Sequence, residues 1–297
     1  SPRSSAPEPV YPPPSALPDT VPPVPKGARI WLTPVAWVAA VSGVLLLLFP
    51  VGFPNYDTIY ALVWGRELAH LESPDVGAAP PPTPQPLSEL WGLATTPLGD
   101  GMITLTMIGA YASLGLIGYF VSRLGAIWFD RWIGAAAAAI VLTRAPFLSN
   151  GLRAYIDLPY IALVLAALVI ETRRPRAGWP VLALLALAGL LRPEAWLFSF
   201  AYLAYLIFSR GRERVAGVPL VALFALALAG PILWAIFDWI TAGSPTYSFT
   251  GTKETVETLE RQTGPVDLVL YGPRRLGEVR GDEDVGAASH CADDQVL

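Results

Sequence analysis

Several ionisable side chains lie at the edge of the first long apolar stretch of the sequence, where lipid would give way to water. Asp57 is the first of them, and Arg66 and Glu67 follow within a few helical turns. A carboxylate at such a boundary can act as a general base toward a substrate hydroxyl group. Asp57 also has a structural interpretation, because an acidic residue next to Asn55 favours the start of a helix. The sequence alone leaves both roles open.

A second set of charges lies at the ends of later apolar stretches. Arg153 and Asp157 are four residues apart, a spacing that also suits a local ion pair on a helix. Glu194 falls in a predicted first helical turn, where an acidic residue is favourable. Arg192 is harder to explain in this way, because a hairpin tip that faces the lipid headgroups needs no arginine unless something anionic is there. We therefore predict that these charges and Asp57 form one site on one membrane face.

The composition places the chain among membrane proteins. Hydrophobic residues make up 53% and charged residues 15% of the sequence, and the mean hydropathy is +0.47. Soluble domains carry about 25% charged residues. The net charge of -4 gives no indication of nucleic-acid binding, and the single cysteine, Cys291, excludes a disulfide within the chain. Walker, dinucleotide-binding, HExxH and GxSxG motifs are absent. If the chain is an enzyme, its activated substrate should therefore arrive in the membrane.

Seven apolar runs predict an all-α, polytopic bundle of about seven transmembrane helices. A run of 20 residues covers about 30 Å as a helix, which matches the hydrocarbon thickness of a bilayer. The first run could also be a cleaved signal peptide, but its length favours a span. The predicted spans are residues 31–50, 102–121, 132–148, 158–170, 179–191, 195–208 and 215–237.

The distribution of arginine predicts the orientation of the bundle. Arginine clusters at 173–176 and 210–214 flank the fifth and sixth runs on both sides, which indicates a hairpin that turns at residues 192–194. The same rule places the N-terminus in the cytoplasm and the first loop, residues 51–101, outside the cell. We expect part of this loop to be helical.

The domain prediction has three parts. Residues 1–29 are rich in proline and predict a disordered cytoplasmic tail. Residues 30–240 form the transmembrane domain. Residues 241–297 are expected to be external and largely disordered, apart from a short helix at 251–264.

Four short motifs resemble the GT-C class of membrane glycosyltransferases, which includes the protein O-mannosyltransferases. They are NYD at 55–57, WGREL at 64–68, GLRAYIDLPY at 151–160 and GLLRPEAW at 189–196. The resemblance covers roughly residues 30–240. The acidic residue in the first outer loop is its most specific part.

The resemblance implies transfer of a sugar, such as mannose or another hexose or pentose, from a polyprenyl-phosphate donor to an acceptor hydroxyl at the extracytoplasmic face of the plasma membrane. Asp57 matches the acidic residue that acts as base or positions the acceptor, and a single displacement would invert the anomeric centre. Arg192, and next Arg153, would hold the lipid phosphate. The further substrate-binding positions are Glu194, Asp157, Arg66 and Glu67. The expected partners are membrane lipid, the lipid-linked sugar and a glycan, lipid or protein acceptor, without nucleic acid.

The chain departs from the GT-C class in two respects. It lacks an evident DxD-type motif, so we predict no cofactor and no obligatory divalent metal. Members of the class usually have more than seven spans, so we expect the chain to be truncated at its C-terminus. Two other functions remain open: a transporter or flippase of lipid-linked sugars, and a catalytically silent membrane protein.

Overall fold

The computed structural model describes residues 29–50, 52–76, 82–208 and 219–251, with side chains from residue 34 onward. Every regular element in these ranges is helical, as the sequence predicts. The helices are α1 (Arg29–Leu48), α2 (Tyr56–Ala69), α3 (Pro86–Thr95), α4 (Gly101–Trp128), α5 (Arg131–Leu142), α6 (Ala145–Leu152), α7 (Asp157–Arg173), α8 (Trp179–Gly189), α9 (Glu194–Phe208) and α10 (Leu220–Ala242).

Two or three of these helical elements can cross a membrane by length and composition. They are α4, α10 and the pair formed by α5 and α6, if that bent pair is counted as one span. Shorter apolar helices are present in α1, α8 and α9. These features agree with a membrane protein, whereas the number of seven crossings and their orientation stay predictions.

The third predicted span, residues 132–148, is broken in the structure. Helix α5 ends at Leu142, and α6 starts at Ala145 after a bend of 58°. Pro146 explains the break, because a proline ring lacks an N–H donor and collides with the carbonyl group four residues earlier. The break gives the chain a turn close to Arg153.

Helix α4 is the centre of the larger hydrophobic core. It packs against α1, α5 and α7, and its side chains at Tyr111, Leu114 and Ile117 are almost fully buried. The Tyr111 hydroxyl group donates a hydrogen bond of 3.1 Å to the carbonyl oxygen of Phe49, at the end of α1. This contact fixes the point at which the chain leaves α1 and enters the first loop.

Helices α8 and α9 form the antiparallel hairpin that the arginine clusters predict. Near the turn, the indole N–H of Trp196 donates to the carbonyl oxygen of Gly189 at 3.0 Å. At the other end, the N–H of Gly178 donates to the Tyr202 hydroxyl oxygen at 3.0 Å. Helix α10 packs against both helices around the buried side chain of Leu182. The hairpin therefore presents residues 190–193 at one end of the bundle.

Helices α2 and α3 form a layer at the end of the bundle where this hairpin turns. They cross in close contact at Gly65 and Gly92, and the N–H of Leu87 donates to the carbonyl oxygen of Leu190 at 3.1 Å. Helix α2 lies in the loop that was predicted to be partly helical. Helix α3 was not predicted, since it follows the proline-rich stretch.

The predicted disordered tail falls almost wholly outside the described residues, apart from Arg29 at the start of α1. The predicted helix at 251–264 likewise lies outside them, apart from Gly251. Residues just after α10 do have a defined place, because the Tyr247 hydroxyl group donates to the carbonyl oxygen of Val76 at 2.8 Å. This contact joins the segment after α10 to the first loop.

Candidate active site

The start of α2 is held against the turn that follows α6. Asn55 caps the helix, since its side-chain oxygen accepts a hydrogen bond of 2.9 Å from the N–H of Thr58. The backbone N–H of Asn55 donates to the carbonyl oxygen of Arg153 at 2.7 Å, and the Thr58 hydroxyl group donates to that of Ala154 at 2.8 Å. Asn55 therefore performs the capping role, which leaves the carboxylate of Asp57 available for another role.

The turn between α6 and α7 carries local backbone strain. Ala154 is buried and has a φ of 48°, a left-handed conformation that a residue with a Cβ seldom adopts. Its carbonyl group is the acceptor for Thr58, so the strained residue contributes directly to the docking of α2. As a result, the start of α2 is anchored to the turn that precedes α7.

Arg192 connects this pair of helix starts to the α8–α9 hairpin. Its guanidinium group forms an ion pair with Asp157, and it lies 3.7 Å from the Glu194 carboxylate. The Nε atom of Arg192 is buried and has no hydrogen-bond partner among the described residues. The N–H group at Nε is therefore a donor without a described partner. A guanidinium group has several donors and can bind an anion through more than one of them at once.

Asp57 lies within electrostatic reach of both members of the Arg192–Asp157 pair. Burial raises the pKa of Asp57 above its ordinary value, Arg192 opposes this rise, and the negative charge of Asp157 adds to it. No residue in the described ranges donates a hydrogen bond to this carboxylate. A half-buried carboxylate with a raised pKa and no bound donor is suited to accept a proton.

A cavity of about 630 Å³ lies between α2, α3, α4 and α7. Its size is typical of sites for small ligands, and most of its lining is apolar. Three lining residues are the direct neighbours of the charged residues described above: Thr58, Ile156 and Leu191. The cavity continues between α4 and α7 as far as Phe120 and Ala166. The cavity therefore borders the chain segments that carry Asp57, Asp157 and Arg192, although these three side chains are not among its lining residues.

Four of the predicted site residues are brought together, namely Asp57, Asp157, Arg192 and Glu194. Arg153 flanks the cavity, because its exposed guanidinium group lies 5.8 Å from the ring centre of Tyr155, a lining residue.

Arg66 and Glu67 lie elsewhere on α2. Arg66 is nine residues after Asp57, about 14 Å along the helix axis, and its side chain is exposed. The Glu67 carboxylate accepts a hydrogen bond of 3.1 Å from the N–H of Asp75 and so stabilises the loop after α2. These two residues are outside the charge cluster, and their predicted role in substrate binding stays a prediction.

A second acidic pair was missed by the sequence analysis. Glu89 on α3 is 1% exposed, and Asp238 near the end of α10 is fully buried. Burial raises the pKa of Glu89 to about 8, the N–H of Gln85 opposes this rise, and the charge of Asp238 adds to it. The Asp238 carboxylate accepts two hydrogen bonds from Ser248, at 2.8 and 2.9 Å. Glu89 thus stabilises the start of α3, and Asp238 holds the segment after α10 against the end of that helix.

The sequence does carry a signal for the start of α3, although not for the burial of Glu89. Proline at the first position of a helix and an acidic residue in its first turn are a helix-start signal. Pro86 and Glu89 have this spacing. Asp238 has no comparable signal beyond its position near the end of an apolar run.

Within the described ranges, no three His, Cys, Asp or Glu side chains group in a way that can hold a metal ion. The absence of a metal requirement stays a prediction. Searches of protein-family models, curated proteins and solved structures found no match to this chain. The functional argument therefore rests on the site itself.

Proposed function

We propose that this chain is a membrane glycosyltransferase of GT-C type that moves a sugar from a polyprenyl-phosphate donor to an acceptor hydroxyl group. The observation that carries the proposal is the cluster of Asp57, Asp157 and Arg192, whose neighbours in sequence, Thr58, Ile156 and Leu191, line the apolar cavity. A base, an anion-binding group and an apolar groove are the three elements that such a reaction needs.

The chemical step assigns one role to each charged residue. The acceptor oxygen attacks the anomeric carbon and forms the new glycosidic bond while the bond from that carbon to the phosphate oxygen breaks. Asp57 takes the proton of the acceptor hydroxyl group. The leaving group is the polyprenyl phosphate, whose charge Arg192 stabilises through its guanidinium donors. A single displacement of this kind inverts the anomeric centre.

Asp157 and Glu194 position Arg192 in this proposal. Both carboxylates lie on the arginine from different helices, so they orient the guanidinium group and limit its rotation. They also lower the net positive charge, so the product phosphate is not held too tightly for release. Arg153 supplies a second cation at the mouth of the cavity.

The apolar cavity is proposed to hold the lipid part of the donor. It extends along α4 and α7, with few polar groups in its lining. A transporter of lipid-linked sugars would need polar groups near the membrane midplane to carry the sugar across. The apolar lining is therefore more compatible with binding the lipid tail than with passage of the sugar.

The proposed topology includes seven crossings, by α1, α4, the α5–α6 pair, α7, α8, α9 and α10, with Asp57 on the extracytoplasmic side. Large apolar side chains of the shorter helices are exposed, such as Leu197 at 69% and Phe208 at 86%. Exposed apolar surface of this extent is typical of contact with lipid. Helices shorter than the hydrocarbon layer are accommodated by local thinning of the bilayer.

The proposal is tested by sugar transfer in membranes that contain the wild-type chain or the Asp57→Asn variant, with polyprenyl-phosphomannose as the first donor. The amide has nearly the same shape but cannot take the proton, so we expect transfer to fall by about 10²- to 10⁴-fold. Glu72→Gln is the matched control, since Glu72 is an exposed carboxylate beyond the end of α2. Equal transfer by wild type and Asp57→Asn would contradict the role of Asp57.

A further inference from the structure

The apolar cavity has a side opening between α3 and α4. Three of its lining residues are exposed, namely Leu90, Trp91 and Ala94, and all three belong to α3. The other lining residues, from α2, α4, α7 and their connections, are buried or half-buried. A ligand from outside the chain therefore reaches the cavity past α3.

The indole ring of Trp91 spans this side opening. Its N–H group donates a hydrogen bond of 2.9 Å to the hydroxyl oxygen of Thr106 on α4. The Thr106 hydroxyl group donates in turn to the carbonyl oxygen of Met102 at 2.7 Å, which leaves its oxygen free to accept from the indole. One turn further along α4 the ring lies over Gly109, where a Cβ atom would be 4.0 Å from Cζ2 of Trp91. One hydrogen bond and one aromatic ring therefore bridge the two helices.

The surface around the side opening is apolar. Leu90 is 44% and Trp91 is 40% exposed, and Ile103, one turn before Thr106 on α4, is 47% exposed. Tryptophan beside apolar side chains is typical of the membrane–water interface. In the proposed topology, the side opening therefore faces membrane lipid.

Behind the side opening, the cavity forms a slot along α4 and α7. Its long walls carry small side chains, namely Gly109, Ala110 and Ser113 on α4 and Ala162 and Ala166 on α7. From Thr106 to Phe120 the slot follows α4 for 14 residues, about 21 Å. A slot of this length and composition suits an extended apolar chain.

One polar group in the cavity wall lacks a partner. Ser88 on α3 lines the cavity and is 8% exposed, and within the described ranges its hydroxyl group makes no hydrogen bond. A hydroxyl group in such a position is stabilised by a polar atom of a ligand, because it can both donate and accept. Ser88 is one helical turn before Trp91, so this polar group lies near the side opening. The cavity thus suits a ligand with an apolar chain and a polar end.

A structural explanation covers only part of this arrangement. An interfacial position accounts for an exposed tryptophan on α3. It does not account for a ring that covers the entrance of a cavity, with a glycine beneath it and a hydrogen bond to the opposite helix.

We propose that the tail of the polyprenyl-phosphate donor enters the cavity from the membrane between α3 and α4, and that Trp91 is the gate of this entrance. The ring releases Thr106 to admit the chain and closes over it again. The tail then extends toward Phe120 and Ala166, and its polar end stays near Ser88. The identity of the chain rests on the proposed function, whereas the route of entry is measured without sugar transfer.

The test measures how fast a photoreactive lipid labels the full chain in nanodiscs. The probe is geranylgeranyl phosphate with a diazirine group at the end of its chain, and light pulses at increasing times after mixing give the rate. We expect label on peptides that contain Phe120 or Ala166. Thr106→Val and Trp91→Phe each remove the hydrogen bond of the gate, so labelling should become about 2- to 10-fold faster. The final extent should equal that of the wild type, because the bond is lost from the empty and the filled cavity alike.

Thr96→Val is the matched control. Thr96 directly follows α3, does not line the cavity, and donates through its hydroxyl group to the carbonyl oxygen of Gly92 at 2.9 Å. The double variant of Thr106→Val and Trp91→Phe should be no faster than the single variants, because both remove the same bond. Wild-type rates in the gate variants, equal acceleration in Thr96→Val, additive effects, or label outside the cavity walls would each overturn the gate.

A second probe identifies the occupant of the cavity. Phosphatidylglycerol with the same diazirine group at the end of one acyl chain should leave the peptides with Phe120 and Ala166 largely unlabelled. Equal labelling by the two probes would overturn the isoprenoid chain as the occupant. Gated loading in a chain without transfer activity would refute the proposed reaction alone. Sugar transfer by a chain whose gate variants load at the wild-type rate would refute the gate alone.

Discussion

At the level of single residues, the protonation of Asp57 depends on two opposing influences. Burial and the charge of Asp157 raise its pKa, whereas the positive charge of Arg192 lowers it. Since a general base works only when it is deprotonated, the acid limb of the pH profile of kcat/KM should report the pKa of Asp57 in the free enzyme.

Replacing Arg192 with glutamine removes the cation that lowers this pKa. The pKa of Asp57 should therefore rise further, and the acid limb of the kcat/KM profile should move to higher pH than in the wild type. The maximum of kcat/KM should also fall by about 10²- to 10³-fold, because the leaving phosphate loses its stabilising group. A pH series of transfer rates measures both effects. A limb that stays in place or moves to lower pH would contradict the electrostatic link between the two residues.

The buried carboxyl group of Glu89 makes a second pH-dependent contribution. Its pKa is about 8 in the folded chain, against an ordinary value of 4.5. Between these values the folded chain binds the proton more tightly than the unfolded chain. The protonated carboxyl group therefore makes its full contribution to stability below pH 4.5, and this contribution is lost as the pH rises toward 8. Over this range the free energy of unfolding falls by up to about 1.4 kcal/mol per pH unit.

The Glu89→Gln variant tests this contribution. Glutamine is neutral at every pH and keeps an oxygen that can accept the hydrogen bond from the N–H of Gln85, which the carboxyl group accepts at 3.0 Å in the wild type. Thermal unfolding in detergent between pH 5 and pH 9 should show a smaller loss of stability for Glu89→Gln than for the wild type. Parallel curves for the two proteins would show that Glu89 is not protonated in the folded chain.

The sequence predicted the charge cluster because charges stand out against apolar surroundings. Asp57, Asp157, Arg192 and Glu194 all interrupt or border runs that are otherwise free of charge, and membrane depth makes such residues costly. Glu89 lies after a proline-rich stretch, where a charged residue is ordinary. Its burial depends on the packing of α3, which a single sequence does not specify.

At the level of helices, the layer above the site depends on the close crossing of α2 and α3. A Cβ atom at Gly92 would lie 2.6 Å from the carbonyl oxygen of Ala61 and 3.0 Å from the Cα atom of Leu62. These neighbours are backbone atoms, so they cannot move aside without separating the helices. Helix α2 carries Asp57, and the crossing thus helps to position the candidate base.

The Gly92→Ala variant should separate α2 from α3. We expect it to lower the free energy of unfolding by about 1–3 kcal/mol, as overpacking does, and to reduce transfer activity because α2 shifts. Thermal unfolding in detergent and the transfer assay measure the two effects. The control is Gly43→Ala in α1, where a Cβ atom would meet nothing within 4 Å. Alanine there should leave stability unchanged or raise it slightly. Equal behaviour of the two variants would contradict the close crossing.

The sequence predicted the α8–α9 hairpin but missed a helix break and misplaced a helix end, and each outcome has a physical reason. The α8–α9 hairpin followed from the charges at its ends and from Pro193 at its turn. The break between α5 and α6 was missed, although Pro146 marks it, because the apolar run continues past the proline. The end of α10 was placed at 237 instead of 242, where Gly243 adopts a left-handed conformation with a φ of 73° and ends the helix. Apolar runs locate these helices, but prolines and glycines decide where they end.

At the level of the whole molecule, the two ends of the bundle differ in their charges. Four charges of both signs cluster at the Asp57 end, where Arg192 is paired with two carboxylates. At the other end, Arg123 and Arg173 lack a described counter-ion. An excess of positive charge is typical of the cytoplasmic side of a membrane protein. The glycosyltransferase proposal requires the orientation that this rule predicts, with Asp57 outside and Arg173 inside.

Labelling of single cysteines tests this orientation directly. Cys291 is the natural cysteine of the chain and would first be replaced with serine. Ser73 and Pro175 are exposed positions, one in the loop after α2 and the other just after α7. We expect a membrane-impermeant maleimide to label Ser73→Cys in intact cells. Pro175→Cys should be labelled only after the membrane is permeabilised.

Each position is the control for the other. Both are exposed to reagent, and the proposed topology places them on opposite sides of the membrane. Labelling of both cysteines in intact cells would show that one or all of the three proposed crossings between them, by α4, the α5–α6 pair and α7, are absent. The reverse pattern would place Asp57 in the cytoplasm. In that case a donor at the extracytoplasmic face could not reach the candidate base, and the glycosyltransferase proposal in its present form would be wrong.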